Sequence, residues 1–475
     1  MGVKPNIDTV LFLKEALIAG QGTKYMRLAN AFEEKISDDF FQEGTKLPPH
    51  RRLADQLGVT PGTISRAYEE LERMGLVQAR VGDGTFVSKR SMEREREEGF
   101  RNFIEKPLQR VDMSRNMHIP GQETILLAEA LRRLADDQQT LHEIALYTPE
   151  AGLSRYRRAG AAWLSTDNFE ANADQVLCVN GGQHGLLCAL MALLRPGDTL
   201  VTEQLTYPGL ISAARFLGIR LLGAEMDDQG LIPESLEEIC RKNRVSALYC
   251  TPTIQNPTTA VLSAERREAI ATICRSHNLF IIEDEAHAVF VEDRPPQLSQ
   301  YAPERGVILS SLSKAVAAGF RVGYIYAPAQ LIDRLVAALR ATCWMATPLT
   351  FELASLWIED GSAKALLKQQ VAEIRRRKDL VAGLLSGLNV RTHPHSPHFW
   401  IEVPEPWRAS EVEIELRQKN HLVAAAEAFA VGRGAVPQYI RASISTPFDN
   451  DKVLYNGFAT LAATLQQTSL ADAVE

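Results

Sequence analysis

Apolar residues recur at helical spacing in three short segments near the start of the chain. The segment "KYMRLANAFEEKI" places its apolar residues on one face of a helix. A second segment, "RRLADQLG", predicts a short amphipathic helix that ends at Gly58. In the third, Thr60 suits the cap and Pro61 the first turn, and Gly75 stops the pattern. Three helices are therefore predicted in this part of the chain.

Two strand-like runs, "LVQAR" and "TFVSK", follow these helices, and the "VGDG" between them is typical of a tight hairpin. Helix, short helix, tight turn, helix and hairpin is the order of a winged helix-turn-helix, whose second helix of the pair enters the major groove of DNA. On the pattern alone, a three-helix interaction module with a hairpin is an alternative. The candidate DNA-binding residues are Arg51, Thr63, Ser65, Arg66, Arg80 and Gly82.

Beyond residue 110, strand-like apolar runs alternate with helical segments. Four of the strand-like runs are "DQVLCVNGG", "VSALYCTP", "LFIIEDEA" and "GVILSSLS". This alternation predicts an α/β domain with a mainly parallel sheet. Because such sheets bind ligands at the carboxyl ends of their strands, residues that follow these runs are candidate site residues.

A charged segment separates the two patterns. Residues 90–110 are dense in alternating charges, which predicts a linker between a winged helix at 23–89 and a large domain at 111–475. Residues 1–22 are predicted to be a helical extension. With 475 residues, 45% hydrophobic and 23% charged, the chain has the composition of a globular protein of several domains. The net charge of -7 argues against a generally basic nucleic-acid binder, although it permits one small DNA-reading module.

Composition also disfavours several other classes of protein. No apolar run approaches the ~20 residues that span a bilayer, and the first segment fits an amphipathic helix better than a signal peptide. The six cysteines include no CxxC pair, so reduced thiols are favoured over a disulfide framework or a zinc site. The expected location is the cytoplasm, with no membrane contact and no metal.

Polar residues follow several strand-like runs. The glycine turn "NGGQHG" opens a helix, where the N–H groups of Gly182 and Gln183 can hold an anion such as phosphate; a turn needed for packing alone fits as well. Asn256 follows one run, and Asp284 and His287 follow another. Acidic residues at such a place can also bind a metal, although one isolated motif gives little support to that alternative.

Lys314 lies in "SSLSKAVAAGFRVGYI", a run of small and apolar residues with Arg321 seven positions further on. Burial and cationic neighbours lower the pKa of such an amine, which suits it to form a Schiff base. A carboxylate that keeps a pyridine nitrogen protonated makes the ring an electron sink. Phosphate donors, an acid for a ring nitrogen and one amine together point to pyridoxal 5′-phosphate.

The first of two resemblances concerns "LPPHRRLADQLGVTPGTISRAYEELERMGLVQARVGDGTFV", which resembles the DNA-binding domain of the GntR family of bacterial regulators over about forty positions. The resemblance implies a winged helix that binds operator DNA. Two residues depart from the family pattern. Pro49 replaces the usual serine, and Pro61 stands where an arginine often contacts DNA.

The second resemblance covers roughly residues 111–470, where the order of features is similar to that of the fold-type I aminotransferases. It implies a mainly parallel sheet, a small C-terminal α+β subdomain at roughly 350–475, and a homodimer. It also implies that Lys314 carries the cofactor as a Schiff base and that Asp284 pairs with the ring nitrogen.

Further roles rest on the same resemblance. Arg441 is implied to hold a substrate α-carboxylate, a bidentate task that suits a guanidinium group. The remaining implied cofactor contacts are the phosphate ligands Gly182, Gln183, Ser311 and Arg321, the ring contacts Tyr207, Asn256 and His287, and Tyr147 from the partner subunit.

Three departures concern chemistry more than cofactor binding. Thr259 replaces a common glycine, and His287 replaces a tyrosine that touches the phenolic oxygen of the ring. The stretch "HSPHFW" stands where relatives usually carry two glycines and an aromatic residue. These residues make the substrate pocket and full transaminase activity open questions at this point.

The fusion of the two domains resembles the MocR subfamily of bacterial transcriptional regulators over almost the whole chain. The resemblance implies a dimeric, pyridoxal phosphate-dependent regulator that senses an amino compound, or the cofactor itself, at Lys314. The first alternative is an active aminotransferase with a tethering or vestigial DNA-binding module. The second is a regulator that has lost the cofactor and senses its ligand by plain binding.

Overall fold

The computed structural model describes residues 7–19, 23–37, 40–42, 44–73, 76–80, 84–87, 111–432, 435–446 and 450–466. The chain forms two compact units, an N-terminal unit up to Pro107 and a large unit from Leu108. The predicted linker at 90–110 lies outside the described residues, and the predicted domain boundaries stay predictions.

Four helices and a two-stranded sheet make up the described part of the N-terminal unit. They are α1 Ile7–Ala19, α2 Lys24–Ser37, α3 His50–Leu57, α4 Pro61–Arg73, β1 Val77–Arg80 and β2 Gly84–Val87. The two strands pair antiparallel. The apolar faces of the helices form one buried core, which includes Leu13, Phe32, Leu53 and Ile64. This is the helix-turn-helix with a wing that the sequence predicts.

The turn between α3 and α4 is held by local contacts. Gly58 follows α3 with φ 67°, and its N–H donates to the carbonyl of Ala54. A longer-range bond ties α4 to the segment that precedes α3: the Tyr68 hydroxyl donates to the Pro48 carbonyl at 2.8 Å. Because a left-handed φ is unfavourable for residues with a side chain, glycine is the residue that closes this turn without strain.

The large unit alternates helices with short strands. Its helices are α5 Glu123–Ala135, α6 Gln138–Ile144, α7 Ser154–Leu164, α8 Gly182–Leu193, α9 Pro208–Phe216, α10 Pro233–Lys242, α11 Ala264–Ser276, α12 Ala329–Cys343, α13 Pro348–Glu359, α14 Ser362–Ala382, α15 Ala409–Gln418 and α16 Asp451–Gln466. Short 3-10 turns lie at Ala173–Gln175, Ala288–Phe290, Leu298–Tyr301, Ala318–Phe320, Gly383–Leu385 and Ala426–Phe429. Its strands are β3 Val111–Asp112, β4 Val176–Val179, β5 Thr199–Glu203, β6 Arg220–Ala224, β7 Met226–Asp227, β8 Gly230–Leu231, β9 Ala247–Cys250, β10 Phe280–Asp284, β11 Gly306–Ser311, β12 Gly323–Tyr326, β13 Val390–Arg391, β14 His398–Glu402, β15 His421–Leu422, β16 Ala424–Ala425 and β17 Tyr439–Ser443.

Seven of these strands form the main sheet, in the order β4-β12-β11-β10-β9-β5-β6. All neighbours pair parallel except β12, which runs antiparallel to β11 and β4. Every residue of β4, β5, β9 and β11 is buried, as expected for a parallel sheet covered on both faces. The carboxyl ends of the six parallel strands therefore share one edge, as the sequence predicts.

A smaller antiparallel sheet of order β13-β14-β17-β16 lies in the C-terminal part of the large unit. Strand β3, at the start of the unit, pairs parallel with β15. The unit thus begins and ends in the same α+β region, and the predicted fold class is confirmed. Within the described residues, no helix has the length and apolar character needed to cross a membrane.

Replacing Gly58 with alanine is expected to destabilise the N-terminal unit by about 1 kcal/mol, because a methyl group disfavours the left-handed backbone that ends α3. Thermal unfolding followed by circular dichroism measures the effect. Gly62→Ala is the matched control, since Gly62 has no left-handed φ and a Cβ there would meet only the Thr60 hydroxyl, at 3.9 Å. Equal melting temperatures for the two variants would contradict this account of the turn.

Candidate functional site

Lys314 lies three residues beyond β11, at the carboxyl edge of the main sheet. Its ammonium group is half-buried and donates to the backbone carbonyl of Asn116 at 2.5 Å. Burial, together with the charges of Arg441 and Arg321, lowers the pKa of this amine to about 8, against the opposing charge of Asp284. A minor but appreciable fraction of the amine, roughly a fifth at pH 7.4, is therefore neutral and nucleophilic.

Asp284 ends β10, the strand next to β11. Its carboxylate accepts the hydroxyl of Tyr249 at 2.6 Å and the N–H of Ala286 at 2.9 Å. Burial raises the pKa of Asp284, while these two hydrogen bonds oppose the rise. Tyr249 lies on β9 and was not predicted, because nothing in its local sequence distinguishes it from other apolar strand positions.

A tight glycine turn lies beside the lysine. Gly181 has φ 84° and precedes α8, and Arg321 lies against it: a Cβ on Gly181 would come within 2.5 Å of the guanidinium group. A Cβ on Gly323 would lie 2.8 Å from the carbonyl carbon of Gly181. Arg321 also donates to the Ser313 hydroxyl at 3.2 Å. The turn therefore combines a helix N-terminus with a fixed cation, the arrangement that favours bound phosphate.

Ser311 and Gln183 flank this turn. The Cβ of Ser311 lies 3.5 Å from the position a Cβ would take on Gly182. The Ser311 hydroxyl accepts the Ser313 N–H at 3.0 Å and donates to the Val322 carbonyl. The Gln183 side chain donates to the Gly209 carbonyl at 3.2 Å. The structure therefore brings together the four residues predicted to form a phosphate site.

Tyr207 is the N-cap residue of α9, and its ring packs against Gly209. A Cβ on Gly209 would come within 2.3 Å of the ring. Burial, with the Asp284 charge, raises the pKa of Tyr207 to about 12, and the charges of Arg321 and Arg441 oppose the rise. The charges of Asp284, Arg321 and Arg441 therefore act on Tyr207 as well as on Lys314.

Arg441 reaches the site from β17 of the smaller sheet. Its guanidinium group donates to the Asn256 side-chain oxygen at 2.6 Å and to the Ser114 carbonyl, and lies over the Phe429 ring at 4.7 Å. Burial lowers the pKa of Arg441 to about 10. Its Nε atom is buried without a hydrogen-bond partner, which leaves one donor for a ligand.

His287 belongs to a buried polar chain that sequence reasoning found only in part. Burial, together with the charges of Lys314 and Arg441, lowers the pKa of His287 to about 3, so the ring is neutral. The Asn116 amide donates to His398 Nδ1 at 2.8 Å and lies 3.5 Å from His287 Nε2, and His398 Nε2 contacts the Pro257 carbonyl at 2.9 Å. His398 lies in the "HSPHFW" departure, a signal that could have identified it.

Thr259 occupies the position where glycine is common. Its backbone has φ 65°, its side chain is buried, and its N–H donates to the Gln255 carbonyl at 2.7 Å. A β-branched residue with left-handed φ is uncommon and unfavourable. The loop that carries Asn256 therefore keeps the backbone shape of a glycine-containing turn although the residue is threonine.

The acidic residues around β10 make contacts that leave little for a metal. Glu283 accepts the N–H groups of Leu298 and Ser299, both at 2.8 Å, and Glu285 pairs with Arg294 at 3.3 Å. In the described ranges, no group of three or more histidine, cysteine, aspartate or glutamate side chains is placed to hold a metal ion. These carboxylates instead fix the loops around the strand.

Tyr147 is the one predicted cofactor residue that lies away from this cluster. Its side chain is 84% exposed, and its ring faces Trp344 at 6.2 Å. The predicted contact involves a partner subunit, so the role of Tyr147 stays a prediction.

Four of the predicted DNA-contacting residues lie on α3 and α4 of the N-terminal unit. Arg51 and Arg66 are exposed, and Thr63 is half-buried and bonds the Thr60 hydroxyl at 2.9 Å. The Ser65 hydroxyl lies 2.9 Å from His50 Nδ1, so it joins the two helices.

A cleft beside these residues, of about 380 Å³, is lined by Lys24, Tyr25, Thr60, Gly62, Thr63 and Arg66. Gly82 and the side chain of Arg80 lie outside the described residues, and both stay predictions.

Lys314 is expected to react with an amine-acylating reagent with a half-maximal rate near pH 8 in protein freed of pyridoxal compounds, because its amine loses its proton there. Peptide mass spectrometry across a pH series measures this. Asp284→Asn should move the midpoint down, since it removes the anion that favours the ammonium form. In protein unfolded by guanidinium chloride the midpoint should rise to the ~10.4 of an unperturbed lysine. The same high midpoint in folded protein would contradict the account.

Comparison with known families agrees with this arrangement. The chain matches the model of aminotransferase class I and II over residues 112–455. It matches the model of the gntR family of bacterial regulatory proteins over residues 24–87.

Individual relatives combine the same two parts or share the fold of the larger one. The chain is 30% identical over 424 residues to the uncharacterised HTH-type transcriptional regulator YdeF of Bacillus subtilis, which covers 89% of this chain and 90% of that protein. It is 27% identical to the HTH-type transcriptional regulator TauR of Rhodobacter capsulatus, covering 86% and 90%. The α-aminoadipate aminotransferase LysN of Thermus thermophilus, solved with N-(5′-phosphopyridoxyl)-L-leucine, is 22% identical, with TM-score 0.68 and coverage of 83% and 96%. The chain therefore belongs to the aminotransferase class I and II family and, with its gntR-family domain, to the MocR subfamily of transcriptional regulators.

Proposed function

We propose that this protein is a dimeric, DNA-binding transcriptional regulator that holds pyridoxal 5′-phosphate at Lys314 and responds there to an amino compound or to the cofactor itself. The observation that carries the proposal is the lysine amine with its lowered pKa, set between two guanidinium groups and one carboxylate at the carboxyl edge of the sheet. As a DNA-binding regulator of a bacterial cell, the protein would work in the cytoplasm, at the nucleoid.

The residues around Lys314 fit the cofactor in shape and charge. A side chain on Gly181 would collide with Arg321, and one on Gly323 with the Gly181 backbone, so backbone N–H groups and a guanidinium group would face one small space. Together with Ser311 they would hold the phosphate. Bound there, pyridoxal phosphate supplies an aldehyde that reacts with amines and a ring that accepts electrons.

The other site residues would orient the ring and the effector. Asp284, fixed by Tyr249, would face the ring nitrogen, and Tyr207 would cover one face of the ring. Arg441 would exchange its contacts with Asn256 and Ser114 for an effector carboxylate. His287 would be held neutral at the position of the usual tyrosine, and Tyr147 would reach the phosphate group of the partner subunit.

Signalling would begin with a local change of charge. An effector amine that displaces Lys314 returns a free amine to a site that already contains Arg321 and Arg441, where an added positive charge is unfavourable. A second conformation of the large unit that separates these charges would be favoured, and the two N-terminal units would move with it. Two winged helices in one dimer would read a repeated or palindromic operator.

Gly323→Ala is expected to weaken pyridoxal phosphate binding at least tenfold, because its methyl group displaces the backbone of the Gly181 turn. An absorbance titration in the near-visible range measures the affinity. Gly319→Ala is the matched control from the same segment, where a Cβ would meet nothing within 4 Å. Equal affinity in both variants would contradict the assignment of the turn to the phosphate.

The full-length protein is expected to bind the promoter region beside its own gene, with an affinity that falls steeply as salt rises. Arg51→Ala and Arg66→Ala should each weaken binding at least several-fold, and loss of a phosphate contact should also reduce the salt slope by about one. Fluorescence anisotropy at several salt concentrations measures both effects. Glu72→Ala, on the same helix as Arg66, is the control and should not weaken binding.

Failure to bind this DNA, combined with many rapid turnovers of an amino acid and a 2-oxo acid, would instead support the rival function, an aminotransferase with a vestigial DNA-binding module.

A further inference from the structure

Helix α1 lies outside residues 24–87, the range that matches the gntR family. It is nevertheless an integral part of the N-terminal unit. Leu13 is fully buried in the core, and the Phe12 ring meets the Phe32 ring edge-on at 6.1 Å. One side of α1 is therefore fixed against the winged helix.

The opposite side of α1 carries an exposed stripe. Leu11 is 58% and Ile18 is 85% exposed, and the exposed charges Lys14 and Glu15 lie between them. Their spacing of three, one and three residues places all four on one helical face. We call these four residues the α1 stripe. It lies about half a helical turn away from Leu13, which faces the core.

Two features of the α1 stripe favour its contact with a partner. Leu11 and Ile18 are among the large apolar side chains that this chain exposes to water, and Ile18 is exposed more than Leu11. Neither Lys14 nor Glu15 has an ion-pair partner among the residues that the structure describes. Adjacent residues on a helix do not face each other, so these two charges do not neutralise each other within one copy.

The order of the four residues is complementary to itself. When two α1 helices pack antiparallel about a two-fold axis between Lys14 and Glu15, Leu11 of one copy lies opposite Ile18 of the other. Lys14 then lies opposite Glu15, and both contacts occur twice because the interface is isologous. Two apolar pairs thus enclose two ion pairs. A parallel pairing would instead set Lys14 against Lys14 and Glu15 against Glu15, which is unfavourable.

We propose that the α1 stripe is a contact between the two copies of this chain in the regulator dimer. The inference rests on the dimer of the proposed function, since one short helix buries less than the ~1,000 Å² that a stable interface needs. Dimerisation of the large units supplies the high effective concentration that such a weak contact requires. The contact sets the separation of the two α4 helices, and hence the spacing of the operator half-sites.

Cysteine cross-linking of the full-length protein tests this pairing. In a Cys343→Ser background, which removes the exposed native thiol, the double variant Leu11→Cys/Ile18→Cys should form a covalent dimer on mild oxidation. Each single variant should form little. In the antiparallel pair the two copies of residue 11 are offset by seven residues, about 10 Å along the axis, beyond the ~7 Å limit for a disulfide.

A charge-exchange series in the same cross-linking background provides an independent readout. Lys14→Glu alone and Glu15→Lys alone each place four like charges at the centre of the contact, so the yield of covalent dimer should fall several-fold. The double exchange Lys14→Glu/Glu15→Lys restores two opposite pairs and should recover the yield. Circular dichroism confirms that each variant is folded.

Light scattering separates failure of this inference from failure of the proposed function. A dimer whose double-cysteine variant gives no more covalent dimer than the single variants would overturn the α1 contact and leave the regulator proposal intact. If the introduced thiols resist alkylation but do not cross-link, the α1 stripe packs against a different surface, and the α1–α1 contact is overturned as well. A monomeric protein would overturn both the dimer and the contact.

Discussion

The structure depends on the position of one amine in a place where its charge is unfavourable. Lys314 is surrounded by buried surface and by the cations of Arg321 and Arg441, and Asp284 is the anion that opposes them. The ammonium form of a lysine is more stable in water than in such a setting. Holding Lys314 there therefore costs some of the stability of the fold. What the lysine gains is a nitrogen that is neutral and nucleophilic in a much larger fraction of molecules than an ordinary lysine near physiological pH. This balance of burial and charge is what makes the site chemically useful.

The main sheet supplies the rigidity that this balance requires. Parallel strands bring the ends of β9, β10 and β11 to one edge, so that Tyr249, Asp284 and Lys314 meet although they are far apart in sequence. The single antiparallel strand, β12, brings Gly323 against the glycine turn and carries the preceding Arg321 to the same point. Arg441 comes from the smaller sheet, so the site draws residues from both sheets of the large unit.

Sequence alone could predict the residues whose local setting is unusual. Lys314 and Arg321 stand out as cations in a small, apolar run, and Asp284 as an acid at the end of a very apolar strand. Asn116 and Tyr249 could not be found in this way, because their importance arises from pairing across long stretches of chain. The exposed side of α1 was likewise hidden: its pattern shows an amphipathic helix, but which apolar positions face the core depends on α2 and the aromatic residues behind it.

The most direct test of the central claim is to locate the covalent bond. Purified protein saturated with pyridoxal 5′-phosphate is reduced with borohydride and digested, and its peptides are examined by mass spectrometry. The account predicts a phosphopyridoxyl group on Lys314 at close to one per chain, and none on the same peptide of Lys314→Ala. Stoichiometric modification of another lysine, or unmodified Lys314 in protein saturated with the cofactor, would contradict it.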